Sequence, residues 1–175
     1  MSLRKAAYRI RQGLHALAAY ACPVDYDRVA GVLTPPLMTL FHRMRRSEQQ
    51  HSLRVMDTLL EAGHDDPDLL TAALLHDCGK SRHRFGLVGR VLVVLARRAA
   101  PALLTRWSQG EPRGLRRPFV IAAQHPAWSA EDMAACGASP LAVELARRHQ
   151  EKLAGPPRDR VEHLLALLQA ADDSQ

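Results

Sequence analysis

Apolar residues recur at intervals of three and four along almost the whole of this 175-residue chain, and no run of alternating β-branched positions interrupts them. That period places one apolar stripe on a helix and gives a strand no face to bury, so the chain is expected to be all-α. Hydrophobic residues make up 47 %, charged residues 24 % and aromatic residues 5 % of the sequence, which leaves Leu, Ala and Val to fill the interior, and of these Leu and Ala are good helix formers. At this length one domain buries a real core without staples, so residues 1–175 are read as a single unit.

Local signals divide the chain into helices. Ser47 followed by Gln50 reads as a capping box opening a helix through SEQQHSLRVMDTLLEA, closed by Gly63, with His51 in its first turn. Asp66 then caps a helix with Pro67 at its first position and Gly79 at its end, leaving His76 and Asp77 in the last turn. A helical stretch runs from about Leu87 to Arg106, kinked or broken near Pro101, and a Gly/Pro/Arg-rich connection from Gly110 to Pro118 is expected to be a mobile loop. One short helix should end near His125 before Pro126, another run from Ser129 to Cys136, a third start at Ser139-Pro140 and pass through ELARRHQEK, and a last one span about Asp159 to Ala171.

The net charge of +6 favours anionic partners, such as a phosphorylated ligand, nucleic acid or an anionic membrane. The arginine clusters at 43/45/46, 113/116/117 and 147/148 lack interleaved aromatics, and no nucleic-acid motif is visible, so nucleic acid is disfavoured. Cys22, Cys78 and Cys136 are odd in number and far apart, which suits a reducing cytoplasm rather than a disulfide framework. The N-terminal stretch is too short in its apolar part for a leader, and the run Val91 to Ala96 is far short of the ~20 residues needed to cross a bilayer.

The segment LLTAALLHDCGK concentrates the chemistry, because an imidazole and a carboxylate follow an apolar run that should be buried. A buried carboxylate without a partner shifts its pKa or costs several kcal/mol, and a divalent cation supplies a full opposite charge. Adjacent helical residues point about 100° apart, so both reach one ion only near a helix end. For a bare pair, His76 meeting a helix dipole while Asp77 is exposed is the commoner arrangement.

AALLHDCGK resembles the signature of the HD superfamily of phosphohydrolases, which is named for this adjacent pair. His51, in HSLRVMDTLL and 25 residues upstream of His76, matches the family's first histidine, and Asp172 in LLALLQAADDSQ matches its closing aspartate, with Asp173 as the alternative. The resemblance covers roughly residues 47–173, with 1–46 a helical extension and about 83–117 outside any motif. It implies a compact HD-type helical bundle holding a divalent ion with His51, His76, Asp77 and Asp172. His125 in QHPAWSAEDM resembles the HPxxGA element of the two-metal branches, the cyclic-dinucleotide phosphodiesterases and diadenosine tetraphosphate hydrolases, with Ser129 where those have Gly. His149 in LARRHQE resembles the paired histidines of the phosphodiesterase branch, with Gln150 replacing the second. Both are candidate ligands of a second ion; otherwise they line a one-metal pocket. His15, His42, His64, His83 and His163 have no matching context.

Mixed imidazole and carboxylate ligands suit Mn, Fe, Zn or Ni, or Mg. The resemblance implies hydrolysis of a phosphoester or phosphoanhydride by metal-activated water, on a nucleotide-like or other phosphorylated small molecule. Asp77 would bind the metal, or bridge two metals, and orient the water, with Lys80 the candidate phosphate clamp and Arg148 a second substrate-binding candidate. The mouth of the site is expected between the end of the His76 helix and residues 110–118. The phosphodiesterase branch's GYP element is absent, since the chain reads HQEKLAGPPRDR there, which disfavours cyclic-di-GMP cleavage. The alternative is a catalytically inactive HD domain that binds a nucleotide or a protein. A further rival is a peripheral adaptor that uses the arginine-rich faces and the amphipathic stretch from Leu87 to Arg106. Oligomeric state is left open.

Overall fold

The computed structural model describes residues 23–83, 86–99 and 105–175. They form α-helices and two 3-10 turns, with no strand among the described residues. In chain order these are α1 (Tyr26–Ala30), α2 (Pro35–Arg43), α3 (Arg46–Glu61), α4 (Pro67–Leu75), a 3-10 turn (Cys78–Arg82), α5 (Leu87–Ala99), a 3-10 turn (Gly114–Arg116), α6 (Arg117–Ala135), α7 (Pro140–Arg148) and α8 (Arg160–Asp173). The all-α architecture is as the periodicity predicts.

Several boundaries follow the capping chemistry. The Asp66 carboxylate accepts from the Asp68 and Leu69 N–H groups at 3.0 and 3.2 Å, Pro67 follows it, and Ser139 and Asp159 cap α7 and α8 in the same way. Gly63 carries the left-handed backbone (φ 81°) that ends α3.

Other boundaries differ from expectation. The helix α3 starts before Ser47: the Glu48 carboxylate accepts from the Arg45 N–H at 3.2 Å, which sets Arg45 at the cap and moves His51 into the second turn. Pro126 does not divide α6, a single helix of 19 residues in which the proline is buried. Proline forfeits one backbone hydrogen bond, and the packing of α6 against α7 and the Cys78–Arg82 turn outweighs that loss. Likewise α7 stops at Arg148, short of Glu151 and Lys152. Pro101 lies outside the described residues. The expected loop between Gly110 and Pro118 includes the Gly114–Arg116 turn and the start of α6, which Arg117 ties back through its Nε–H to the Pro112 carbonyl at 3.2 Å.

The main core gathers Phe41, Met56, Leu69, Leu74, Leu75, Met133, Leu145, Leu165 and Leu168 from α2, α3, α4, α6, α7 and α8. At roughly 25 cal/mol per Å² of apolar surface removed from water, each of these side chains contributes ~2 kcal/mol. Helix α4 is buried from Leu69 through Leu75, so its last turn delivers His76 and Asp77 to the interior. Val93 of α5 joins Phe119, Ile121 and Ala122 in a smaller cluster on α6.

Candidate metal centre

Glycine at position 79 is not a left-handed helix cap. α4 ends at His76, and Gly79 lies within the following 3-10 turn, where a Cβ would stand 2.5 Å from the His125 carbonyl oxygen and 2.6 Å from the Ser129 nitrogen. Only a residue without a side chain lets this turn press backbone to backbone against α6. The Ser129 hydroxyl fixes the contact by accepting from the Gly79 N–H at 2.9 Å, and Arg82 grips Asp132 with two hydrogen bonds of 2.8 and 3.1 Å. The turn therefore carries Asp77 into reach of α6.

Six candidate ligands come together in two groups whose ligand atoms lie within 4.8 Å of one another: His51, His76 and Asp172, and Asp77, His125 and His149. Asp77 links them, with Oδ2 3.7 Å from His76 Nε2 and Oδ1 3.1 and 3.8 Å from the Nε2 atoms of His125 and His149. In the first group, Asp172 Oδ1 lies 2.8 Å from His51 Nε2 and 3.8 Å from His76 Nε2. Asp173, the alternative, is in neither group.

Three of the rings are aimed by their own helices. The Nδ1 atoms of His76, His125 and His149 lie 3.0, 2.9 and 2.8 Å from the carbonyls of Ala73, Ile121 and Ala146. A carbonyl only accepts, so each Nδ1 carries the proton, and in the neutral ring each Nε2 presents a lone pair to the centre. Burial pushes the His149 imidazole down to about 3, and burial also lowers His76, so both rings are neutral at physiological pH. Burial alone would raise the Asp77 carboxyl, but the Lys80 charge beside it helps hold it well below the usual carboxylate range. Burial works the same way on Asp172, where the hydrogen bond from His51 and the electrostatic attraction of the His76 and His51 imidazoles together outweigh it and lower the carboxyl.

The outcome is a buried concentration of acceptors. His125 Nε2 and His149 Nε2 lie 3.3 Å apart, and His76 Nε2 is buried without any hydrogen-bond partner. An orphaned acceptor beside a buried carboxylate is costly unless a cation lies near it. His76 and His149 also cap the C-termini of α4 and α7, and Asp172 lies in the last turn of α8, so three helix dipoles turn their negative ends towards the centre. The donor set, its orientation and the surrounding field fit a divalent metal.

Lys80 pairs through Nζ with Asp77 Oδ2. Arg148 points elsewhere, binding Glu151 at 2.7 Å and approaching Glu144 at 3.9 Å. Gln150 brings its amide nitrogen 3.4 Å from His125 Nε2, beside the second group. Of the remaining histidines, His83 packs at a tilt against Trp128 and His42 against Tyr26, and neither joins the centre. A cleft of about 600 Å³ opens on both groups, lined by His149, Gln150, Glu151, Lys152, Gln169, Asp172 and Asp173. It lies between the end of α7 and the end of α8, and the 110–118 segment, where the mouth was expected, is not in its lining.

Sequence reasoning passed over Gln169. Its amide donates to the His149 carbonyl at 3.1 Å and to the Glu151 carbonyl at 2.6 Å, tying the segment that carries one ligand to the helix that carries another. The signal was present, since Gln169 precedes Asp172 by three residues and shares its helix face.

A family model for the HD domain matches residues 49–175. No curated protein and no solved structure matches the chain. The match covers well over half of the sequence and contains the adjacent His76-Asp77 pair, His51 and Asp172, so this chain belongs to the HD domain family of metal-dependent phosphohydrolases.

Proposed function

We propose that this protein hydrolyses a phosphoester or phosphoanhydride of a nucleotide-like or other phosphorylated small molecule at a centre of two divalent ions. The observation that carries the reading is the pair of three-ligand groups joined by Asp77, with His76 Nε2 left without a partner inside them. His51, His76 and Asp172 would hold one ion and His125 and His149 the other, with Asp77 shared. Such an ion lowers the pKa of water and polarises a phosphoryl oxygen.

The residues of the chain do the rest in this reading. Asp77, kept ionised, accepts a hydrogen bond from the attacking water and orients it. Lys80 is anchored beside Asp77 and keeps part of its surface open, so its charge offsets charge developing on the phosphoryl oxygens. The cleft over the centre admits the leaving group, with Gln150 and Lys152 at its wall. Residues 23–48 precede the family match, and we propose that they belong to the same domain, because Val29, Leu37, Leu40 and Phe41 are buried in the same core as α4 and α8.

The test is metal content by inductively coupled plasma mass spectrometry on untagged protein, beside a His76→Ala/Asp77→Ala variant, followed by phosphate release from a panel of phosphorylated small molecules. Two ions in the wild type, lost in the variant, with phosphate release that chelation stops, support the reading. Absence of metal in both, even after reconstitution with Mn or Fe, removes it. Metal without release from any substrate transfers the site to the alternative of a binding module.

A further inference from the structure

Five of the exposed large apolar side chains among the described residues, Val88, Val91, Leu92, Val94 and Leu95, lie on the single helix α5, with Val88 74 % and Leu95 57 % exposed. Val88, Val91, Leu92 and Leu95 are spaced i, i+3, i+4, i+7 and form one continuous stripe. The helix is fixed to the protein by a different side, where Val93 is buried against Phe119, Ile121 and Ala122 of α6. A helix that packs by one side and shows an apolar stripe on another leaves a contiguous apolar patch, and such patches mark contact surfaces.

The charge of this stretch of sequence selects the occupant. From Arg84 to Gly110 the sequence has five arginines and neither Asp nor Glu. An anionic bilayer offers an apolar layer and negative charge in one surface, matching both features. Nucleic acid answers the charge but not the stripe, and a second copy of this chain would bring the same positive charge against it. No described helix is long and apolar enough to cross a membrane, so the contact would lie in the interface. We infer that α5 docks the protein on anionic lipid, with Val88, Val91, Leu92 and Leu95 seated at the boundary between headgroups and acyl chains. The inference is independent of the metal centre.

The experiment is flotation of the full chain with vesicles of phosphatidylcholine, with and without phosphatidylglycerol, at low and high salt, beside a Val91→Asp/Leu95→Asp variant. Both positions are about half exposed, so the core is spared, and helical circular dichroism with a cooperative thermal melt reports folding. Wild type is expected to prefer the phosphatidylglycerol vesicles by about tenfold or more, less strongly in high salt, and the variant to lose that binding. Absence of wild-type binding, or a folded variant that binds as well, overturns the inference. A Val91→Trp protein gives a second reading: its added emission should shift to the blue on those vesicles, and no shift overturns the inference even if the double variant unfolds. A wild-type dimer dissociated by the double variant, without vesicle binding, would assign the stripe to a second copy and overturn it as well.

Discussion

His51, His76 and Asp172 come from α3, α4 and α8, and the side chains of His51 and Asp172 are 25 % and 31 % exposed, whereas Asp77, His125 and His149 are all buried. In the outer group His51 and Asp172 already satisfy each other through a 2.8 Å hydrogen bond. In the inner group the rings of His125 and His149 are committed through Nδ1 to their own helices, and their Nε2 atoms converge on Asp77 Oδ1. The inner group is thus held by burial and by its ring-to-helix hydrogen bonds, while the outer one is partly exposed through His51 and Asp172 and can exchange their hydrogen bond for an ion.

The strongest way to break this comparison is at the shared residue. Asp77→Ala should remove both ions and lower phosphate release by ~10³-fold or more, about 4 kcal/mol of barrier. Retention of one ion would show that Asp77 is not shared. Next, Gly79→Ala should cost about 3 kcal/mol of stability in urea titration, because the backbone atoms 2.5 and 2.6 Å from the new Cβ have no cheap way to move. Unchanged stability would mean that the turn yields and the inner group is not rigid.

The two groups are separated by single substitutions. His125→Ala should leave one ion, as should His51→Ala, each with about a hundredfold loss of activity. The ion remaining in His51→Ala, held by the inner group, should resist dialysis against a chelator for longer. Equal loss rates would erase the distinction. The smallest effect is expected from Gln169→Ala, about a tenfold weaker metal affinity in a competitive chelator titration, since Gln169 acts only through the His149 and Glu151 carbonyls. Unchanged affinity would leave Gln169 as packing alone.

The helical class was legible because apolar period is a local property, and so was the His76-Asp77 pair, whose apolar approach forces it inward. Asp172 and His51 were legible by context. Pro126 misled because a proline read locally signals a boundary, while packing of α6 on α7 decides the matter. Gly79 was assigned the right importance for the wrong reason: no local signal reports that another helix's backbone lies 2.5 Å from a missing Cβ. The position of the cleft was likewise out of reach, because it depends on how the ends of α7 and α8 meet, as does the turning of Arg148 towards Glu151.

Because three of the imidazoles are tethered to a carbonyl three or four residues back in their own helix, each ring keeps its aim only while that turn stays wound. Two of the turns are helix termini, which open most readily in any helical protein. An occupied centre would therefore act as a clasp on the ends of α4 and α7. Their amides should exchange with deuterium more slowly when the ions are bound, so that solvent labelling would report the state of the metal site from the backbone rather than from the ligand side chains.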